Sequence, residues 1–459
     1  MADFSNYLSP GRKGYLIGIG GVSMSSLADV LSGMGITICG SDSNESKNVI
    51  ALMEKGIQIH IGHAAENVPP DVDFVVRTAA VHDDNPEIRR AREWNIPVFE
   101  RTEAWGAISR DYNNALCISG THGKTTTTSM CTHILMAADR DPTVMIGGTL
   151  PLLNAGHRVG HGNVIVMEAC EYYNSFLSFF PTVAVVLNIE ADHLDFFKDL
   201  DDVKASFRAF ASRVPQDGFV VANRDDENTM QALAGINRKI ITFGLHENAD
   251  VYAENVEYLG SNSSFDVMYN GRFFTDVQLH VPGQHNVKNA LAATAAAICL
   301  GIRPNAVKYG LAGFSGAGRR FEFKGKYNGA DVYDDYAHHP GELKALLDTV
   351  ETLNYHRTIL VFQPHTYTRT KMLFDDFAEQ LKRPDIVFLA EIFAAREQNT
   401  IGISSSDLSD KVPGSRFFPD FGSLEGALKE TAQPGDIVLT VGAGDVYRIG
   451  ENLVKQISE

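Results

Sequence analysis

Short apolar runs alternate with segments of helical spacing along most of the chain. The first run, Tyr15 to Ile19, leads into two glycines and then into VSMSSLADVLSGMG, whose apolar residues recur at the spacing of a helix. The runs ITICGSD, GIQIHIGH and DFVVRTAA add further strand-like segments. Strand–helix alternation is typical of a doubly wound parallel sheet. The first part of the chain therefore predicts a Rossmann-like α/β domain at residues 1–111.

The same alternation starts again twice. NNALCISGTHGKTTTTSMCTHILMAA has the order strand, loop, helix, and the apolar runs in VIVMEACE and TVAVVLNIEADHLDFF end in polar residues. After the small-residue stretch AGFSGAGRRFEFKG, a third series contains ADVYDDYAHHP, RTILVFQPHTYTRT, DIVFLAEIF and GDIVLTVGAG. A chain of 459 residues exceeds what one hydrophobic core normally serves. We therefore predict a central α/β domain at 112–323 and a Rossmann-like C-terminal α/β domain at 324–459.

Composition and charge exclude several classes of partner. The chain is 44% hydrophobic and 21% charged, as in soluble globular proteins, and its formal charge is -17 without a long basic run. This balance disfavours nucleic acid or an anionic membrane as the main partner. Five widely spaced cysteines without a CxxC pair are typical of buried thiols in a reducing compartment. With no signal peptide and no integral membrane segment in the sequence, we expect a cytoplasmic protein. We also expect a monomer or homodimer, a state that these features do not determine.

The stretch CISGTHGKTTTTSM carries the most specific candidate chemistry. In a strand–loop–helix context, backbone N–H groups face phosphates, Lys124 adds positive charge, and the Thr125 hydroxyl reaches Mg²⁺. Ile118 occupies the position where the usual phosphate loop has a glycine, so this loop is one residue short, and a plain turn with a helix N-cap stays the alternative. We expect a central P-loop ATPase-type α/β domain that binds ATP, although the loop alone does not exclude GTP. The residues of this loop are Gly120, Thr121, His122, Gly123, Lys124, Thr125 and Thr126.

Polar side chains follow two later strands of the central segment. Glu168 and Glu171 come after VIVM, and Asp192 and His193 come after VAVVLNIE. Ligands gather at the carboxyl ends of strands in an open parallel sheet, and carboxylate oxygens suit Mg²⁺. A neutral imidazole is a less usual ligand of Mg²⁺, so His193 alone would more often be a hydrogen-bonding or catalytic group. Helix N-caps at the strand exits are the structural alternative.

The first glycine turn predicts a second phosphate site. Glycines between a strand and a helix fit a nucleotide or diphosphate, and an acidic residue near the end of the next strand can meet a ribose. A tight strand–helix turn is the alternative, and an NAD-dependent oxidoreductase would leave GTHGKTTTT and Glu168 unexplained. The residues of this prediction are Gly18, Gly20, Gly21, Ser23 and Asp42.

Together the motifs resemble the Mur ligase family. The matching stretches, in family order, are GIGGVSMSSLA, GSD, DDNPE, GTHGKTTTT, EACE, ADHLD, PGQHNVKNALAA, GAGRRFE, DDYAHHP and QPHTYTRT. The resemblance implies an N-terminal domain for a UDP-sugar, a central ATPase domain and a C-terminal domain that closes over the site. It also implies that ATP phosphorylates the lactyl carboxylate of UDP-N-acetylmuramate, after which the nitrogen of L-alanine attacks the acyl phosphate. A tetrahedral intermediate then expels phosphate.

The resemblance also implies roles for individual residues. Thr125 would hold the first Mg²⁺, and Glu168 and His193 the second. The residues implied in catalysis are Lys124, Glu168, His193, His339 and Arg369. Those implied in ATP binding besides the loop are His285 and Asn289 on the adenine side, Arg320 at the phosphates and Asp335 near the ribose. Those implied in substrate binding are the five residues of the first glycine turn together with His63, Asn85, Arg319, His338, His339 and Arg369.

Two positions depart from the family pattern, and two alternatives stay open. Thr366 stands where many relatives have an arginine, which leaves Arg369 more of the cationic role, and Asn174 stands where many have an acidic residue. Lys204 lies near the region of the family's carbamylated lysine, but its spacing from His193 does not match. A ligase that attaches a recycled tripeptide to the same sugar nucleotide is the alternative within the family. An ATP-driven switch without an acceptor amino acid is the alternative outside it.

Overall fold

Three sheets follow one another along the chain. The computed structural model describes residues 3–78, 80–395 and 397–455. Sequence alternation correctly predicted the α/β class and the three-domain plan, because each sheet is mostly parallel and lies between layers of helices. Among the described residues, no helix is both long and apolar enough to cross a membrane.

The N-terminal domain has a five-stranded parallel sheet in the order β3-β2-β1-β4-β5. Its strands are β1 (Lys13–Ile17), β2 (Thr37–Asp42), β3 (Gln58–Ile61), β4 (Phe74–Arg77) and β5 (Val98–Glu100). Its helices are α1 (Val22–Gly33), α2 (Lys47–Glu54), α3 (Pro86–Glu93) and α4 (Arg101–Arg110), with short 3-10 helices at Phe4–Tyr7 and Ala65–Asn67. The turn from β1 into α1 places the predicted glycines at the carboxyl edge of this sheet.

The central domain has a ten-stranded mixed sheet in the order β15-β14-β13-β12-β11-β10-β6-β9-β7-β8. Its strands are β6 (Asn114–Ser119), β7 (Thr143–Leu150), β8 (Ala155–Arg158), β9 (Val164–Glu168), β10 (Val183–Val186), β11 (Phe219–Asn223), β12 (Lys239–Gly244), β13 (Val251–Leu259), β14 (Asn262–Tyr269) and β15 (Arg272–Leu279). Its helices are α5 (Lys124–Ala137), α6 (Leu200–Ala211), α7 (Glu227–Leu233), α8 (Gln284–Cys299) and α9 (Pro304–Ala312), with 3-10 helices at Pro151–Leu153 and Tyr172–Ser178. Strand β6 lies between β10 and β9, so three strand ends meet at the phosphate loop.

The C-terminal domain has a six-stranded sheet in the order β16-β17-β21-β18-β19-β20, parallel except at β16. Its strands are β16 (Glu322–Tyr327), β17 (Ala330–Asp335), β18 (Thr358–Phe362), β19 (Ile386–Ala390), β20 (Arg416–Phe418) and β21 (Ile437–Val441). Its helices are α10 (Pro340–Glu351), α11 (Tyr367–Met372), α12 (Phe374–Leu381), α13 (Ser405–Lys411), α14 (Phe421–Thr431) and α15 (Tyr447–Lys455). Because β16 begins at Glu322, residues 322 and 323 pair in this sheet rather than in the central one, where the sequence placed them.

The N-terminal and central domains share a hydrophobic core. The indole of Trp105 on α4 is buried in one cluster with Phe176 and Phe179 of the central domain. The approach is close, since a β-carbon at Gly106 would lie 2.0 Å from the carbonyl oxygen of Ser178. A glycine is therefore required on this face of α4. The contact holds the first turn of α1 beside the carboxyl end of β9.

Candidate active site

The phosphate loop is tied to the chain that follows β10. The backbone N–H of Thr121 donates to the carbonyl of Asn188 at 3.0 Å, and that of His122 donates to the Asn188 side chain at 2.8 Å. Gly123 has a φ of 83°, and a β-carbon there would lie 2.6 Å from Oδ1 of Asn289. A glycine therefore serves both the left-handed backbone and the close approach of α8. The loop begins α5 at Lys124, in the strand–loop–helix context that the sequence predicts.

The Lys124 ammonium group lies inside the loop. Nζ donates to the carbonyls of Gly120 at 2.5 Å and Thr121 at 3.0 Å, and it lies 3.2 Å from Oε2 of Glu171. Burial lowers the pKa of Lys124, but the carboxylates of Glu171 and Glu168 outweigh it and raise the pKa above its usual value. Lys124 is therefore a charged group at neutral pH, and it can stabilise phosphate oxygens.

Thr125 and Glu168, which the sequence assigned to two different ions, lie in contact. The Thr125 hydroxyl lies 3.1 and 3.0 Å from the two carboxylate oxygens of Glu168, and the N–H of Gly147 donates to Oε2 of Glu168 at 2.8 Å. A hydroxyl and a carboxylate side by side are hard oxygen donors, which fit Mg²⁺.

His193 lies near Glu171, the carboxylate that contacts Lys124. Its ring stacks on Tyr172 with centroids 4.2 Å apart and an interplanar angle of 19°. Nε2 lies 3.9 Å from Oε1 of Glu171 and 3.6 Å from Oδ2 of Asp192. Burial, together with the charges of Arg369 and Lys124, lowers the pKa of His193 to about 4, against the opposing effect of Asp192. The imidazole is therefore neutral at pH 7, which is the form that binds metal ions.

Glu171 and Asp192 connect groups that the sequence considered separately. The sequence placed both at strand ends but left them out of the metal and catalytic sets. In the structure, Glu171 contacts Lys124 and lies near His193, while Asp192 lies between His193 and Arg369. Their position after apolar strands was the available signal, but it gave no indication of their partners.

A cavity of about 320 Å³ lies between the central and C-terminal domains. It brings together most of the residues predicted for ATP, namely His122, Gly123, Thr126, His285, Asn289, Arg320 and Asp335. Further lining residues, which the sequence did not indicate, include Asn188, Glu190, Asp225, Phe243, Lys288 and Leu346. They come from several separate segments and converge only through folding. The mix of apolar walls and a few polar groups suits a nucleoside.

Two groups of this cavity have shifted pKa values. Burial lowers the pKa of His285 to about 4, with a contribution from the positive charge of Arg320. Burial also raises the pKa of Asp335 to about 6, although Arg320 opposes this shift. Asp335 accepts hydrogen bonds from the N–H groups of Phe321 at 2.7 Å and Ala337 at 2.8 Å. Its carboxylate thus joins the end of the domain connection to the segment that follows β17.

A second cavity, of about 550 Å³, also lies between the central and C-terminal domains. It is lined by the predicted residues His193, His338 and Arg369, and by others that include Tyr172, Tyr173, Asp192, His365, Thr366 and Glu397. Thr366 has a φ of 62°, in the left-handed region, which is strained for a β-branched residue. The strained backbone turns the chain into α11, the helix that carries Arg369.

His339 lies beside the phosphate loop rather than in the second cavity. It precedes α10 as the N-cap residue, and its Nδ1 accepts a hydrogen bond from the N–H of Gly341 at 3.2 Å. Its ring centroid is 4.9 Å from that of His122. The two adjacent histidines 338 and 339 thus face different parts of the interface, which their sequence did not indicate.

Arg319 differs from Arg320 in its surroundings. Nε donates to Oδ2 of Asp334 at 2.9 Å, and Nη2 donates to the carbonyl of Gly442 at 2.6 Å. The guanidinium also lies between the rings of Tyr336 and Tyr447. Arg319 therefore joins the ends of β17 and β21 within the C-terminal domain. Its predicted role in substrate binding stays a prediction.

Asp42, at the end of β2, hydrogen-bonds to the first glycine turn. The N–H of Gly20 donates to Oδ2 of Asp42 at 2.8 Å, and the N–H of Gly18, with a φ of 77°, donates to the carbonyl of Ser41 at 2.8 Å. Gly21 precedes α1 as its N-cap residue. Asp42 thus stabilises the turn that the sequence assigned to a diphosphate.

Ser23 connects this turn to the metal-site candidates. It lines a cavity of about 110 Å³ together with Trp105, Gly147 and Glu168. The cavity lies where the N-terminal domain meets the carboxyl end of β9. A substrate held at the first glycine turn could therefore extend toward Glu168 through this cavity.

His63 and Asn85 have structural partners in the N-terminal domain. Nδ1 of His63 lies 2.9 Å from Oε2 of Glu87, a fully buried carboxylate that also accepts from Tyr15 and Ser41. Asn85 caps α3 by accepting from the N–H of Glu87 at 2.8 Å. These contacts account for both side chains, and their predicted substrate contacts stay predictions.

The sequence matches Mur ligase models in all three domains. The matches are the Mur ligase family catalytic domain at residues 14–113, the Mur ligase middle domain at 118–297 and the Mur ligase glutamate ligase domain at 319–444. A UDP-N-acetylmuramate--L-alanine ligase of Agathobacter rectalis is 46% identical over 447 residues, which cover 96% of this chain and 97% of the relative. The corresponding ligase of Clostridium novyi is 45% identical, with 96% of each chain covered.

Solved structures agree with the sequence relatives. The UDP-N-acetylmuramate-alanine ligase MurC from Thermotoga maritima is 29% identical, with a TM-score of 0.82 and coverage of 97% of this chain and 99% of that one. A murein peptide ligase from Psychrobacter arcticus, 24% identical with a TM-score of 0.74, covers 98% and 99% of the two chains and shares the fold. The order of the motifs, the three matching domains and the near full-length relatives lead to one conclusion: this chain belongs to the Mur ligase family.

Proposed function

We propose that this protein is an ATP-dependent ligase that joins L-alanine to the lactyl carboxylate of UDP-N-acetylmuramate, with release of ADP and phosphate. The reaction would supply a precursor of peptidoglycan. The observation that carries the proposal is the position of Lys124, Thr125 and Glu168 between cavities that reach all three domains. The near full-length similarity to ligases of this name supports the same substrates.

The chemistry requires activation of a carboxylate. Oxide is a poor leaving group, so transfer of the γ-phosphoryl group of ATP converts the carboxylate into an acyl phosphate, and the amine of L-alanine then displaces phosphate. Negative charge on the transferred group must be stabilised in place. Lys124 is buried and charged beside the loop carbonyls, and it can bind a phosphate oxygen in exchange for one of its present partners.

Mg²⁺ would be held by oxygen donors near the loop. We assign Thr125 to one ion and Glu168 with His193 to a second, in accordance with the family resemblance. The ion would neutralise charge on the phosphate oxygens during transfer. The neutral imidazole of His193 is in the protonation state that metal binding needs.

The second cavity suits the incoming amino acid. Arg369 offers a planar fork for a carboxylate, and the charge of Asp192 compensates its own charge while the site is empty of substrate. His193 and Tyr172 line the same cavity, and Glu171, which lies near His193, contacts Lys124. An amino acid held by Arg369 would thus have its amine directed toward the phosphate loop.

The reaction can be tested with the purified protein. ATP, Mg²⁺, UDP-N-acetylmuramate and L-alanine should give ADP, phosphate and a new UDP-linked product whose mass equals the sum of both substrates less one water. Omission of either acceptor substrate should stop phosphate release. ATP hydrolysis that is independent of L-alanine would instead favour the ATP-driven switch. A cytoplasmic location and a monomeric or homodimeric state remain predictions from the sequence.

A further inference from the structure

Three potential metal ligands converge beside the phosphate loop, outside the proposed Mg²⁺ set. His122 comes from the loop, Glu190 from the segment after β10, and His339 from the start of α10. One ligand atom from each of the three lies within 4.8 Å of the others. The central domain supplies two of these residues and the C-terminal domain supplies the third.

The spacing of these atoms approaches that of a tetrahedral site. Nε2 of His122 lies 3.1 Å from Oε2 of Glu190, and Nδ1 of His339 lies 3.7 Å from the same oxygen. A tetrahedral zinc site with ligand distances of about 2.0–2.1 Å has ligand–ligand edges of about 3.3 Å. Two of the three ligand–ligand distances therefore need only small changes for the three atoms to bind an ion.

Gly341 shows that the three atoms face one common space. A β-carbon built at this residue would lie 3.0 Å from Oε2 of Glu190, 3.3 Å from Nδ1 of His339 and 3.4 Å from Nε2 of His122. The glycine leaves this space open. Nδ1 of His339 accepts a long hydrogen bond, 3.2 Å, from the N–H of Gly341, which an ion could replace.

His339 is an unusual residue for a purely structural contact. Its side chain is 8% exposed, and its Nε2 atom is buried with no hydrogen-bond partner among the residues that the structure describes. Burial of an unpaired polar atom costs free energy. The ion pairs of His122 with Glu190 and Glu342 do not explain this cost, because neither provides a partner for Nε2 of His339.

We propose that His122, Glu190 and His339 form a binding site for one divalent transition-metal ion of the Zn²⁺ class. Two imidazoles and a carboxylate suit such an ion better than they suit Mg²⁺, and one position would remain for water. Against the effect of burial, Glu190 and Glu342 raise the pKa of His122 to about 10, so His122 would release its proton when the ion binds. The bound ion would link the phosphate loop to α10 and so hold the central and C-terminal domains together. The site does not depend on the identity of the ligase substrates.

The test measures Zn²⁺ binding to the full chain by calorimetry in excess Mg²⁺, without nucleotide. The wild-type protein should bind one Zn²⁺ at this site, and a chelator should reverse a rise in its thermal unfolding midpoint. Loss of a group that hydrogen-bonds to a metal ligand typically weakens metal binding about 10- to 100-fold. Glu190→Gln and His339→Gln change a ligand itself, so they should weaken Zn²⁺ binding at least that much. The neighbouring substitution His338→Gln is the matched control and should leave Zn²⁺ affinity unchanged.

Gly341→Ala tests the site without removal of a ligand. Its methyl group would occupy the shared space, and the backbone at this position is not in the left-handed region, so the variant should fold and bind Zn²⁺ at least about tenfold more weakly. The proposal is overturned if the wild-type protein binds no Zn²⁺, or if the folded Glu190→Gln, His339→Gln and Gly341→Ala variants bind it as tightly as the wild type. Equal weakening by His338→Gln would also overturn it, because it would indicate a different site.

Discussion

Arg369 of the C-terminal domain donates two hydrogen bonds to a single oxygen of Asp192 in the central domain. Nε lies 3.1 Å and Nη2 2.9 Å from Oδ1, and the two side chains are only 10% and 8% exposed. The other oxygen, Oδ2, lies 3.6 Å from Nε2 of His193. Burial raises the pKa of Asp192, but His193 and Arg369 lower it well below its usual range. Asp192 thus positions one group from each domain.

Asp192→Asn should weaken the use of L-alanine. The amide keeps the shape and an acceptor oxygen but not the charge, so Arg369 loses the opposite charge that holds its planar fork. We expect the KM for L-alanine to rise about tenfold or more, with little change in the KM for ATP. Steady-state phosphate release measures both. Asp201→Asn, at an exposed helix position, is the control and should behave like the wild type. An unchanged KM for L-alanine in a folded Asp192→Asn variant would contradict the assigned role.

Lys124→Ala should separate catalysis from sugar binding. Removal of the ammonium group takes away the charge that stabilises the transferred phosphoryl group, so ligation should fall by at least about 100-fold. The predicted UDP-sugar site lies in the N-terminal domain, so calorimetry should find UDP-N-acetylmuramate binding nearly unchanged. If the folded variant does not bind the sugar nucleotide, the two sites are not separate.

Glu168→Gln and Glu171→Gln should differ in their Mg²⁺ dependence. Glu168 is the proposed metal ligand, so its amide variant should need a several-fold higher Mg²⁺ concentration for half-maximal activity. Glu171 contacts Lys124, so its variant should lose activity at every Mg²⁺ concentration. Titration of Mg²⁺ at saturating ATP distinguishes them. Identical Mg²⁺ curves for both variants would argue against this division of roles.

The buried imidazole of His285 should make stability depend on pH. Its pKa is lowered to about 4, whereas the pKa of a histidine in the unfolded chain is about 6.5. The unfolded chain therefore binds the proton first as pH falls. Its contribution to stability is therefore fully present above about pH 6.5 and is lost as pH falls toward 4. Asp335, with its pKa raised to about 6, acts in the opposite direction, because its contribution is lost as pH rises through 6.

A substitution isolates the contribution of His285. When the pH is lowered from 7 to 5, the thermal unfolding midpoint of His285→Gln should fall by less than that of the wild type, because glutamine has no proton to bind. The Asp335 contribution remains in both proteins and largely cancels. Equal losses in the two proteins would show that His285 is not the group that titrates.

The sequence predicted the half of the site that lies at strand ends. Gly123, Lys124 and Thr125 follow β6, and Glu168 ends β9, which pairs with β6. Parallel strands place their carboxyl ends at one edge, so strand prediction alone brings these residues together. The same reasoning cannot supply Arg369, whose bond to Asp192 joins positions 177 residues apart in different domains. That residue was indicated by family resemblance alone.

The sequence contained a signal for the structural role of Asn85, although the family resemblance implied a role in substrate binding. Asn85 stands before Pro86 and Glu87, which is the usual pattern of a helix N-cap, and the structure has a cap there. His63 and Arg319 had no such signal. Their partners, Glu87 and Asp334, are buried carboxylates whose positions depend on the packing of whole sheets. Periodicity shows that such a carboxylate lies near a strand or helix, but not which cation it meets.

Acceptor choice tests the central claim most directly. Initial rates of phosphate release should be compared with UDP-N-acetylmuramate and ATP held saturating and either L-alanine or the tripeptide L-alanyl-γ-D-glutamyl-meso-diaminopimelate as the acceptor. We predict rapid phosphate release with L-alanine, and with the tripeptide only the rate measured without an acceptor. Preference for the tripeptide would contradict the proposed function and would assign the chain to the tripeptide-attaching branch of the family.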